Sequence, residues 1–493
     1  MELKVKLMDW DAGLPVAMLN EKTAEKMGVH PQDMISIGTL SKKPKGMSTI
    51  IDVVKGLVKE NEVAVSSELK KNLGLKIGQK VEVNISSPPK SMDFIKKKMN
   101  NKSLSQEEIH VIIEDVVNNS LSDAEIALFV SSMYKYGLSM KETIYLIKAI
   151  LKTGSVLKLK NKFVGDKHSI GGVPGNRTTP IVVSICAAAG IIMPKNSSRA
   201  ITSAAGTADV IETIANVEFS IEELLKIVKK TNACMVWGGS LEMVPADSKI
   251  IQLEKSLKLD PEAMLVASIM SKKLAADSKF IVIDIPYGKG AKVNLMRALR
   301  IKKKFAYLGR YFKVKIKCVL TDGSQPIGNG VGPALELIDL IKVLNPEEIG
   351  PRDLEKKSLF LAGELLEMSG KAKKGKGQKL AAEILYSGKA FKKFEEIIKA
   401  QGGSLDKLKD FKFKHNIMSM KTGKIRKINN KGINSLARTA GSPVDKFAGV
   451  FLHFKVGEKV KKGQKLITLY AESNLRLKEA IKYYEREKPI KIR

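Results

Sequence analysis

The chain has 493 residues, of which 44% are hydrophobic and 28% are charged, and its formal net charge is +33 at pH 7. This length and composition indicate an enzyme-sized globular protein of roughly two to four packed domains, and exclude a disordered chain. No run of about eighteen apolar residues occurs and the first residues alternate in charge, so we expect neither a membrane span nor a signal peptide.

The excess of positive charge would suit a surface that binds nucleic acid or another anion. Most of it comes from lysines spread in pairs between Lys42 and Lys491, without the interleaved aromatic residues on which bases stack. A lysine-rich solvated surface in a heat-adapted or salt-adapted organism explains the charge as well, with steering of an anionic nucleotide as a side benefit. We therefore expect no nucleic-acid partner.

The cysteines, Cys186, Cys234 and Cys318, are widely spaced, and two of them lie among apolar or small residues. This pattern predicts buried thiols in a reducing compartment, and not a disulfide frame or a metal site. The sequence also lacks a paired acidic cluster or a His/Cys group with metal-ligand spacing. We expect a cytoplasmic protein without a metal or other cofactor.

The N-terminal part contains an internal repeat, in which residues 19–37 match residues 65–83. Each copy predicts a short strand, a capped single-turn helix that ends at Gly28 or Gly74, and an alternating strand. The pattern is typical of the two halves of a double-psi β-barrel. It contains no evident catalytic group, so we expect docking or oligomer contact as its role, followed by a linker at residues 86–89.

From Met92 to about Leu151 the apolar positions repeat with a helical period, and residues 105–108 and 122–125 both read as capping boxes. These features predict a small helical lobe. Residues 160–240 alternate apolar strands with helices in the manner of an α/β domain, and Phe280–Ile285 predicts another buried strand.

Two loops rich in glycine, hydroxyls and cations lie within the α/β region, and each opens a helix. In the first, residues 165–180, Thr178 or Thr179 is the predicted helix cap and Pro180 takes the first helical position. The second spans residues 196–212. Two helix N-termini beside glycine-rich loops predict a cradle for an oxyanion, although glycine pairs before a helix are as often plain tight turns.

The cations in these loops favour an oxyanion site over plain tight turns. Lys167 supplies a point charge and Arg199 a planar fork, and short hydroxyl donors can complete a phosphate shell. These hydroxyls belong to Ser169, Thr178, Ser197 and Thr207, the last of which opens the second predicted helix.

Lys-His-Ser-Ile-Gly-Gly-Val, from Lys167 to Val173, resembles the Lys-His-Ser-Thr-Gly-Gly-Val loop of the thymidine and pyrimidine-nucleoside phosphorylases. The stretch from Ser197 to Glu212 resembles their signature segment, and within this family the resemblance to the archaeal AMP phosphorylases is the strongest. It extends from about Met92 to the C-terminal end, where residues 456–470 resemble the barrel-sandwich end of these enzymes. No Met-Lys-Met tripeptide, the modification site of carrier proteins with this shape, occurs there, so we expect no carrier chemistry.

These patterns and the resemblance predict a multidomain α/β protein. Its parts are an N-terminal double-psi-like β domain (1–86), a helical lobe (91–155 with about 244–276), a central α/β phosphate-binding domain (160–240 with about 279–345) and a C-terminal α+β barrel-sandwich-like domain (346–493). The resemblance implies an active site across the helical lobe and the α/β domain, which hinges would join.

The resemblance also implies a site for a nucleotide and phosphate. Its predicted residues are Lys167, His168, Ser169, Gly171, Gly172, Thr178, Ser197, Ser198, Arg199, Ala200, Ile201, Thr202, Ser203, Thr207, Ser268, Lys272 and Lys292. Ser268 and Lys272 match the helix that holds the base, although residues four apart can also mark one exposed helix face. Lys292 follows a strand in a Gly-Lys loop and could reach an anion. Residues 329–336 have a similar loop-to-helix pattern without a cation, and we take them as part of the fold.

The sequence departs from the nucleoside enzymes at the base and at the second loop. Where those enzymes carry Leu-Arg-Asp, whose arginine reads the pyrimidine carbonyl, this chain has Gln-Leu-Glu at residues 252–254. Hydroxyls replace glycines in residues 197–204, which suits an additional phosphate. Counting back along the chain from Ser268 places Asp260 in a stretch that the resemblance predicts to face the cleft. Asp before Pro261 is also a common turn or cap signal.

We therefore expect phosphorolysis of a nucleoside 5′-monophosphate, with AMP as the first candidate and CMP and UMP as further ones, to the free base and ribose 1,5-bisphosphate. Phosphate would attack C1′ through an oxocarbenium-like state, and Asp260 would protonate N7 of a purine. The alternatives are a nucleoside phosphorylase, a Mg²⁺-dependent phosphoribosyltransferase of related fold, and a nucleic-acid-binding protein on an enzyme-like scaffold. The expected partners are a nucleoside monophosphate and inorganic phosphate, with no membrane, in a homo-oligomer that is a dimer or larger.

Overall fold

The computed structural model describes residues 1–8, 10–13, 15–41, 44–86, 89–159, 161–200, 203–241 and 243–493. The chain forms two compact units. Unit 1 is Met1–Thr153 together with Pro245–Met264, and unit 2 is Gly154–Val244 together with Leu265–Arg493. In the described part of the chain, no helix is long and apolar enough to cross a membrane.

The repeat predicted in the N-terminal part is present in unit 1. Its elements are β1 (Glu2–Leu7), β2 (Val16–Asn20), α1 (Glu21–Met27), β3 (Met34–Thr39), β4 (Gly46–Val54), β5 (Glu62–Val65), α2 (Ser67–Leu73) and β6 (Lys80–Ile85). The strands close into a barrel in the order β1-β5-β2-β4-β3-β6, in which β1 pairs with β5 and β2 with β4 in parallel.

The helices α1 and α2 end at the two glycines that were predicted to end them. The side chains of Asn20 and Ser66 cap the two helices, and Gly28 and Gly74 end them at φ +67°. Each helix has seven residues and is therefore longer than the single turn predicted. In α2 the second turn brings Leu73 into the core of the barrel.

The helical lobe of unit 1 consists of α3 (Ser91–Met99), α4 (Gln106–Val117), α5 (Asp123–Tyr136), α6 (Met140–Lys152) and α10 (Pro245–Leu257). Both predicted capping boxes are present: Ser105 and Ser122 accept hydrogen bonds from amides in the first turn, and Glu108 and Glu125 accept one from the amide of the capping serine. The late helix α10 is tied to α4 because Lys249 donates to the last carbonyl oxygens of that helix, at 2.9 and 2.8 Å.

The α/β part of unit 2 is built from β7 (Gly165–Ser169), α7 (Thr178–Ala188), β8 (Met193–Ser197), α8 (Thr207–Ile211), α9 (Ile221–Thr231), β9 (Ala233–Trp237), α11 (Glu262–Ala275, which begins in unit 1), β10 (Phe280–Tyr287), α12 (Leu295–Tyr311), β11 (Lys315–Asp322), α13 (Pro333–Leu344), α14 (Arg352–Met368), α15 (Gly377–Tyr386) and α16 (Lys389–Ala400). Strand β10, which was predicted, lies between β7 and β11 and is parallel to both, and β8 is parallel to β9. The helix α7 is buried along its length in the main core of this unit, which explains its apolar sequence. The three cysteines are free, buried thiols, as predicted.

The C-terminal part of unit 2 is formed by β12 (Gly330–Val331), β13 (Phe413–Met418), β14 (Gly423–Ile428), α17 (Asn430–Ala440), β15 (Gly449–Leu452), β16 (Lys459–Val460), β17 (Lys465–Ala471), α18 (Asn474–Glu487) and β18 (Ile490–Ile492). One sheet has the order β12-β15-β17-β13 and another has the order β16-β14-β18. Because β12 comes from the loop before α13, the first of these sheets joins the C-terminal part to the α/β part.

Candidate functional site

The first loop, residues 170–177, connects the carboxyl end of β7 with α7. Its glycines are required by the backbone and by close contacts. Gly175 has φ +69°, and a Cβ there would lie 2.1 Å from the carbonyl oxygen of Ile327. At Gly172, with φ +89°, a Cβ would lie 2.7 Å from Cβ of Lys292, so the predicted site residue Lys292 lies beside this loop.

Lys167 on β7 is fully buried and directs its ammonium group at the start of α7. Its Nζ donates hydrogen bonds to the Oγ1 atoms of Thr178 and Thr179, at 2.6 and 3.2 Å. The predicted cap at these threonines is wrong. The helix already includes Thr178, Arg177 takes the cap position without a side-chain bond, and Pro180 is the third helical residue. The threonine hydroxyls contact the lysine instead of the helix amides.

The charge of Lys167 depends on the groups around it. The pKa of Lys167 is lowered to about 7, and burial away from water is the largest cause. The carboxylate of Asp284 opposes this effect, whereas the positive charges of Lys357, Lys195 and Arg177 add to it. A bound anion would favour the cationic form of Lys167 for the same reason as Asp284 does.

Asp284, in β10, is buried and holds several polar groups near the first loop. Its Oδ1 accepts a hydrogen bond of 2.6 Å from Thr321, and its Oδ2 lies 2.8 Å from Nζ of Lys357 and 3.4 Å from Nδ2 of Asn176. The same amide nitrogen donates to Oγ of Ser169 at 3.2 Å. Burial raises the pKa of Asp284, but the neighbouring ammonium groups outweigh it and the pKa is lowered.

Arg177 connects the first loop with the second loop, residues 198–206. Its Nε and Nη2 contact Oε2 of Glu336 at 2.8 and 2.7 Å, its Nη1 donates to Oγ1 of Thr207 at 2.9 Å, and its Nη2 donates to the carbonyl oxygen of Ala205 at 2.8 Å. Arg177 was not among the predicted site residues, and Glu336 was predicted to be part of the fold. The available signal was an arginine directly before the helix that follows a glycine-rich loop.

One carboxylate fixes the ends of the second loop. Oδ2 of Asp209 accepts hydrogen bonds from the amides of Ala200 and Gly206, at 2.7 and 2.8 Å. Gly206 cannot be replaced without displacing this loop, because a Cβ would lie 2.5 Å from the carbonyl oxygen of Ser198. The helix α8 begins at Thr207, as predicted, and this start places Asp209 under the loop.

Arg199 of the second loop is held by acidic partners. Its guanidinium contacts Glu212 at 2.5 and 2.6 Å and Glu218 at 2.9 Å, and it lies 4.7 Å from the ring centre of Trp237. The hydrogen bonds from Arg199, together with Lys446 at 2.5 Å, lower the pKa of Glu212 to about 2. Arg199 thus anchors the loop, and its contact with phosphate stays a prediction.

The C-terminal part also holds the second loop in place. On α17, Oδ1 of Asn434 accepts a hydrogen bond of 3.1 Å from the amide of Ala204, and Nη1 of Arg438 lies 3.4 Å from the carbonyl oxygen of Ser203. The shape of this loop therefore depends on residues more than two hundred positions away in the chain.

A second buried ion cluster lies on the opposite face of β7, because Asp166 precedes Lys167 on the strand. The two carboxylate oxygens of Asp166 contact Nζ of Lys195 at 3.0 Å and Nζ of Lys273 at 2.7 Å. Burial lowers the pKa of Lys273 to about 7. His168 keeps part of its surface exposed, yet burial and then the charges of Lys273 and Lys195 lower its pKa well below the usual value, so the imidazole is neutral at pH 7.

Two buried polar atoms at the loops, Oγ of Ser197 and Oδ1 of Asn176, have no hydrogen-bond partner among the residues that the structure describes. Buried polar groups are nearly always hydrogen-bonded, and a site that binds a polar ligand is a common exception. Ser197 ends β8, and Asn176 stands just before α7. Both atoms are therefore suited to contact a ligand.

The other predicted residues are distributed over both units. On α11, within unit 2, Nζ of Lys272 donates to Oγ of Ser268 at 2.8 Å. Asp260 lies between α10 and α11 and belongs to unit 1. Gly171 is in the first loop, and Ser198, Ala200 and Ser203 are in the second loop, whereas Ile201 and Thr202 lie outside the described residues.

The buried charged side chains around these loops are largely paired. Lys195 and Lys273 contact Asp166, Arg177 contacts Glu336, and the partly buried Lys357 contacts Asp284. The ammonium group of Lys167 instead donates to two threonine hydroxyls at the start of α7, so a bound anion there would stabilise its charged form. Among the described residues no group of His, Cys, Asp or Glu side chains is placed to hold a metal ion. The arrangement can hold a small dianion beside the N-terminus of α7.

Three family models match the chain. The helical bundle domain of the glycosyl transferase family matches residues 92–154, the α/β domain of that family matches residues 161–391, and the C-terminal domain of pyrimidine nucleoside phosphorylase matches residues 424–491. Among solved structures, anthranilate phosphoribosyltransferase from Thermus thermophilus is similar with a TM-score of 0.53 at 18% identity, covering 63% of this chain and 100% of that one. These likenesses confirm the predicted multidomain α/β fold with its helical bundle.

The chain is also similar to curated proteins over nearly its whole length. It is 44% identical over 494 residues to the AMP phosphorylase of Pyrococcus furiosus, covering 99% of this chain and 97% of that protein. It is 48% identical to the AMP phosphorylase of Pyrococcus abyssi (100% and 98% covered) and 42% identical to that of Methanococcus vannielii (99% and 97% covered). Because this identity is high and extends along both chains almost completely, the chain belongs to the AMP phosphorylase family.

Proposed function

We propose that the protein catalyses the reaction of AMP with phosphate to give adenine and ribose 1,5-bisphosphate. The observation that carries the proposal is the buried ammonium group of Lys167 at the start of α7, beside a glycine-rich loop, in a chain of this family. AMP and inorganic phosphate are both anions near neutral pH, and either would favour the charged form of Lys167. The full-length relatives named AMP phosphorylase support the choice of the nucleotide.

The reaction exchanges one bond at C1′ of the ribose for another. An oxygen of phosphate bonds to C1′ while the bond from C1′ to N9 of adenine breaks, and the electron pair of that bond moves into the base. The base takes up a proton at N7, for which Asp260 is the proposed donor. Phosphate is already anionic and needs no activating base, so the protein contributes mainly positioning and fixed charges.

Several residues are proposed to bind the attacking phosphate, namely Lys167, Ser169, Thr178, Ser197 and Thr207. The contact of Lys167 with Thr178 and the unpartnered Oγ of Ser197 among the described residues support this assignment. Ser268 and Lys272 are proposed to hold the base, and Lys292 to reach an anion. The other residues proposed to contact AMP or phosphate are His168, Gly171, Gly172, Ser198, Arg199, Ala200, Ile201, Thr202 and Ser203.

The breadth of base recognition is part of the proposal. The pyrimidine-reading arginine of the nucleoside enzymes is absent at residues 252–254, which favours a purine. CMP and UMP stay candidate substrates, since no residue here is shown to reject a smaller base.

Phosphate-dependent release of free base across a panel of AMP, CMP, UMP, adenosine, uridine and thymidine tests the proposal. We expect AMP to be cleaved with the highest kcat/KM, in the presence of EDTA and only when phosphate is present. A preference for nucleosides over AMP would make the protein a nucleoside phosphorylase, and loss of activity in EDTA would favour a Mg²⁺-dependent phosphoribosyltransferase. Steeply salt-dependent binding of oligonucleotides without base release would support the nucleic-acid alternative.

The finer architecture is also proposed. We infer a double-psi-like β domain over residues 1–86, a helical lobe over 91–155 with about 244–276, of which the residues from Leu265 on belong to unit 2, and an α/β domain over 160–240 with about 279–345. The C-terminal α+β domain over 346–493 begins with α14–α16, which pack on the α/β core, and its barrel-sandwich-like part follows from about residue 413. The barrel order with parallel β1·β5 and β2·β4 pairs supports the first of these. We further infer a cytoplasmic homo-oligomer, a dimer or larger.

A further inference from the structure

Asp284 has no part in the reaction steps given above, yet it is completely buried in the middle of β10 and makes polar contacts on several sides. Thr321 donates to one carboxylate oxygen at 2.6 Å, and Lys357 lies 2.8 Å from the other. Burial of a carboxylate is unfavourable unless it is paired and hydrogen-bonded, so these contacts fix its position.

The carboxylate determines how the side chain of Asn176 is oriented. Nδ2 of Asn176 lies 3.4 Å from Oδ2 of Asp284 and 3.2 Å from Oγ of Ser169. An ionised carboxylate only accepts hydrogen bonds, so the amide NH₂ must face Asp284. The amide oxygen then points elsewhere, and it is the buried atom that has no partner among the described residues. Asp284 thereby presents a polar atom of the first loop to a ligand.

The same carboxylate lies near Lys167, because Asp284 of β10 is in register with Ser169 of β7 and Lys167 stands two positions before Ser169 on the same face of that strand. The charged groups that face Lys167 come from several elements: Asp284 from β10, Lys357 from α14, Lys195 from β8 and Arg177 from the first loop. Among these groups only Asp284 is negative. Burial lowers the pKa of Lys167 to about 7, and Asp284 opposes this effect. Lys357 acts against Lys167 both by its own charge and by pairing with Asp284.

We propose that Asp284 is a positioning residue of the phosphate site. It orients Asn176 so that the amide oxygen can accept a hydrogen bond from a hydroxyl, such as the P–OH group of hydrogen phosphate or a ribose hydroxyl, and it supplies the negative charge beside the buried Lys167 ammonium. Lys357 pairs with Asp284 and thereby weakens the electrostatic stabilisation that Asp284 gives to the Lys167 ammonium group. This inference rests on the proposed function, because it concerns the phosphate that attacks AMP.

Two substitutions with opposite effects test it. We expect kcat/KM for phosphate to fall as the pH rises, because Lys167 loses its proton. This fall is the alkaline limb of the pH profile. Asp284→Asn removes the negative charge but keeps size and shape, so this alkaline limb should move to lower pH, by about one pH unit or more. Lys357→Met removes the competing cation but keeps most of the side-chain stem, so the limb should move to higher pH. The titration of phosphate itself is common to all variants and does not affect the comparison.

The matched control is Glu142→Gln in unit 1, where Glu142 is a buried carboxylate that pairs with Lys98 at 3.0 Å. It should reduce stability without moving the pH profile. If the alkaline limbs of Asp284→Asn and Lys357→Met move in the same direction, or stay in place, Asp284 only supports the fold. If Asp284→Asn does not fold, the double variant Asp284→Asn/Lys357→Met, which removes both partners of the buried ion pair, takes its place. Its alkaline limb should lie at lower pH than that of Lys357→Met alone, and equal limbs would reject the role of Asp284.

Equilibrium binding of inorganic phosphate, measured by thermal protection between about pH 6 and pH 9, gives a readout that does not depend on AMP turnover. We expect the same opposite shifts in the pH dependence of protection. If the parent protein does not cleave AMP but the two variants still shift the pH dependence of protection as expected, the proposed function is rejected and this inference is kept. If the parent protein cleaves AMP but the variants leave the pH dependence of protection unchanged, the proposed function is kept and this inference is rejected.

Discussion

Lys167 combines a proposed role in phosphate binding with a cost to folding, because a fully buried ammonium group has lost its water. Lys167→Met should lower kcat/KM for phosphate by about 10- to 150-fold, since a hydrogen bond from a charged donor contributes roughly 1.5–3 kcal/mol. Initial rates at low phosphate measure this effect. Lys303→Met, on the exposed surface of α12, is the control and should leave kcat/KM unchanged.

The same substitution should stabilise the protein in the absence of phosphate. The pKa of Lys167 is about 7 in the folded protein and near its ordinary value of 10.5 in the unfolded chain. The unfolded chain therefore binds one proton more between these pH values, so stability rises with pH there and the penalty is complete below about pH 7. Lys167→Met should gain most in free energy of unfolding near pH 6, with the gain disappearing toward about pH 10. Denaturant titrations at both pH values measure it, and a gain that does not vary with pH would contradict the assigned pKa.

Asp260 is the proposed acid, and Asp260→Asn separates this role from that of a helix-flanking cap. Asparagine keeps the size and capping ability but cannot donate a carboxyl proton. We expect kcat for AMP to fall about a hundredfold or more with binding largely retained. AMP methylated at N7 already carries the positive charge that protonation would give, so it should be cleaved almost as fast by the variant as by the parent protein. Equal loss with both substrates would assign Asp260 a structural role.

At the scale of single residues, sequence reasoning found the groups that stand inside the loops and missed those that hold them. Lys167, Thr178 and Thr207 were recognisable because they are adjacent to glycines and helix starts. Asp284 and Glu336 come from elements more than one hundred positions further along the chain. Their contacts depend on the pairing of strands and helices, which a local pattern does not encode.

At the scale of elements, the glycines of the first loop allow a steric effect to be separated from a conformational one. Gly171 and Gly175 have φ of +84° and +69°, but a Cβ at Gly171 would meet no atom within 4 Å, whereas at Gly175 it would lie 2.1 Å from the carbonyl oxygen of Ile327. Both alanine variants are strained by positive φ, by about 1–2 kcal/mol. Gly175→Ala should lose about 1–3 kcal/mol more, because the loop must move. Melting temperatures of the two variants measure the difference, and equal values would contradict the contact.

Helix boundaries were predicted correctly wherever a local capping contact determines them. The capping boxes at Ser105 and Ser122 and the glycine ends at Gly28 and Gly74 are contacts within a few residues, so they were predictable. The start of α7 was misplaced because Lys167, eleven positions earlier, contacts Oγ1 of Thr178. A tertiary contact there replaced the local one.

At the scale of the whole molecule, the N-terminal barrel should be separable. It closes on itself and has its own hydrophobic core. Deleting residues 1–84 should therefore leave the loops of unit 2 folded, with AMP turnover retained, while the oligomer size or the melting temperature changes. Light scattering and calorimetry measure both properties. A truncated protein with the same oligomer size and melting temperature as the full chain would remove the docking role.

The division of unit 1 into two sequence segments has a consequence for synthesis on the ribosome. Lys249 on α10 binds the end of α4, but residues 154–244 must be translated between Thr153 and the start of α10. At about 5–20 residues per second this takes roughly 5–20 seconds, during which the earlier helices expose the surface that α10 later covers. The nascent chain is thus vulnerable to aggregation and is a natural client for chaperones until residue 264 has emerged.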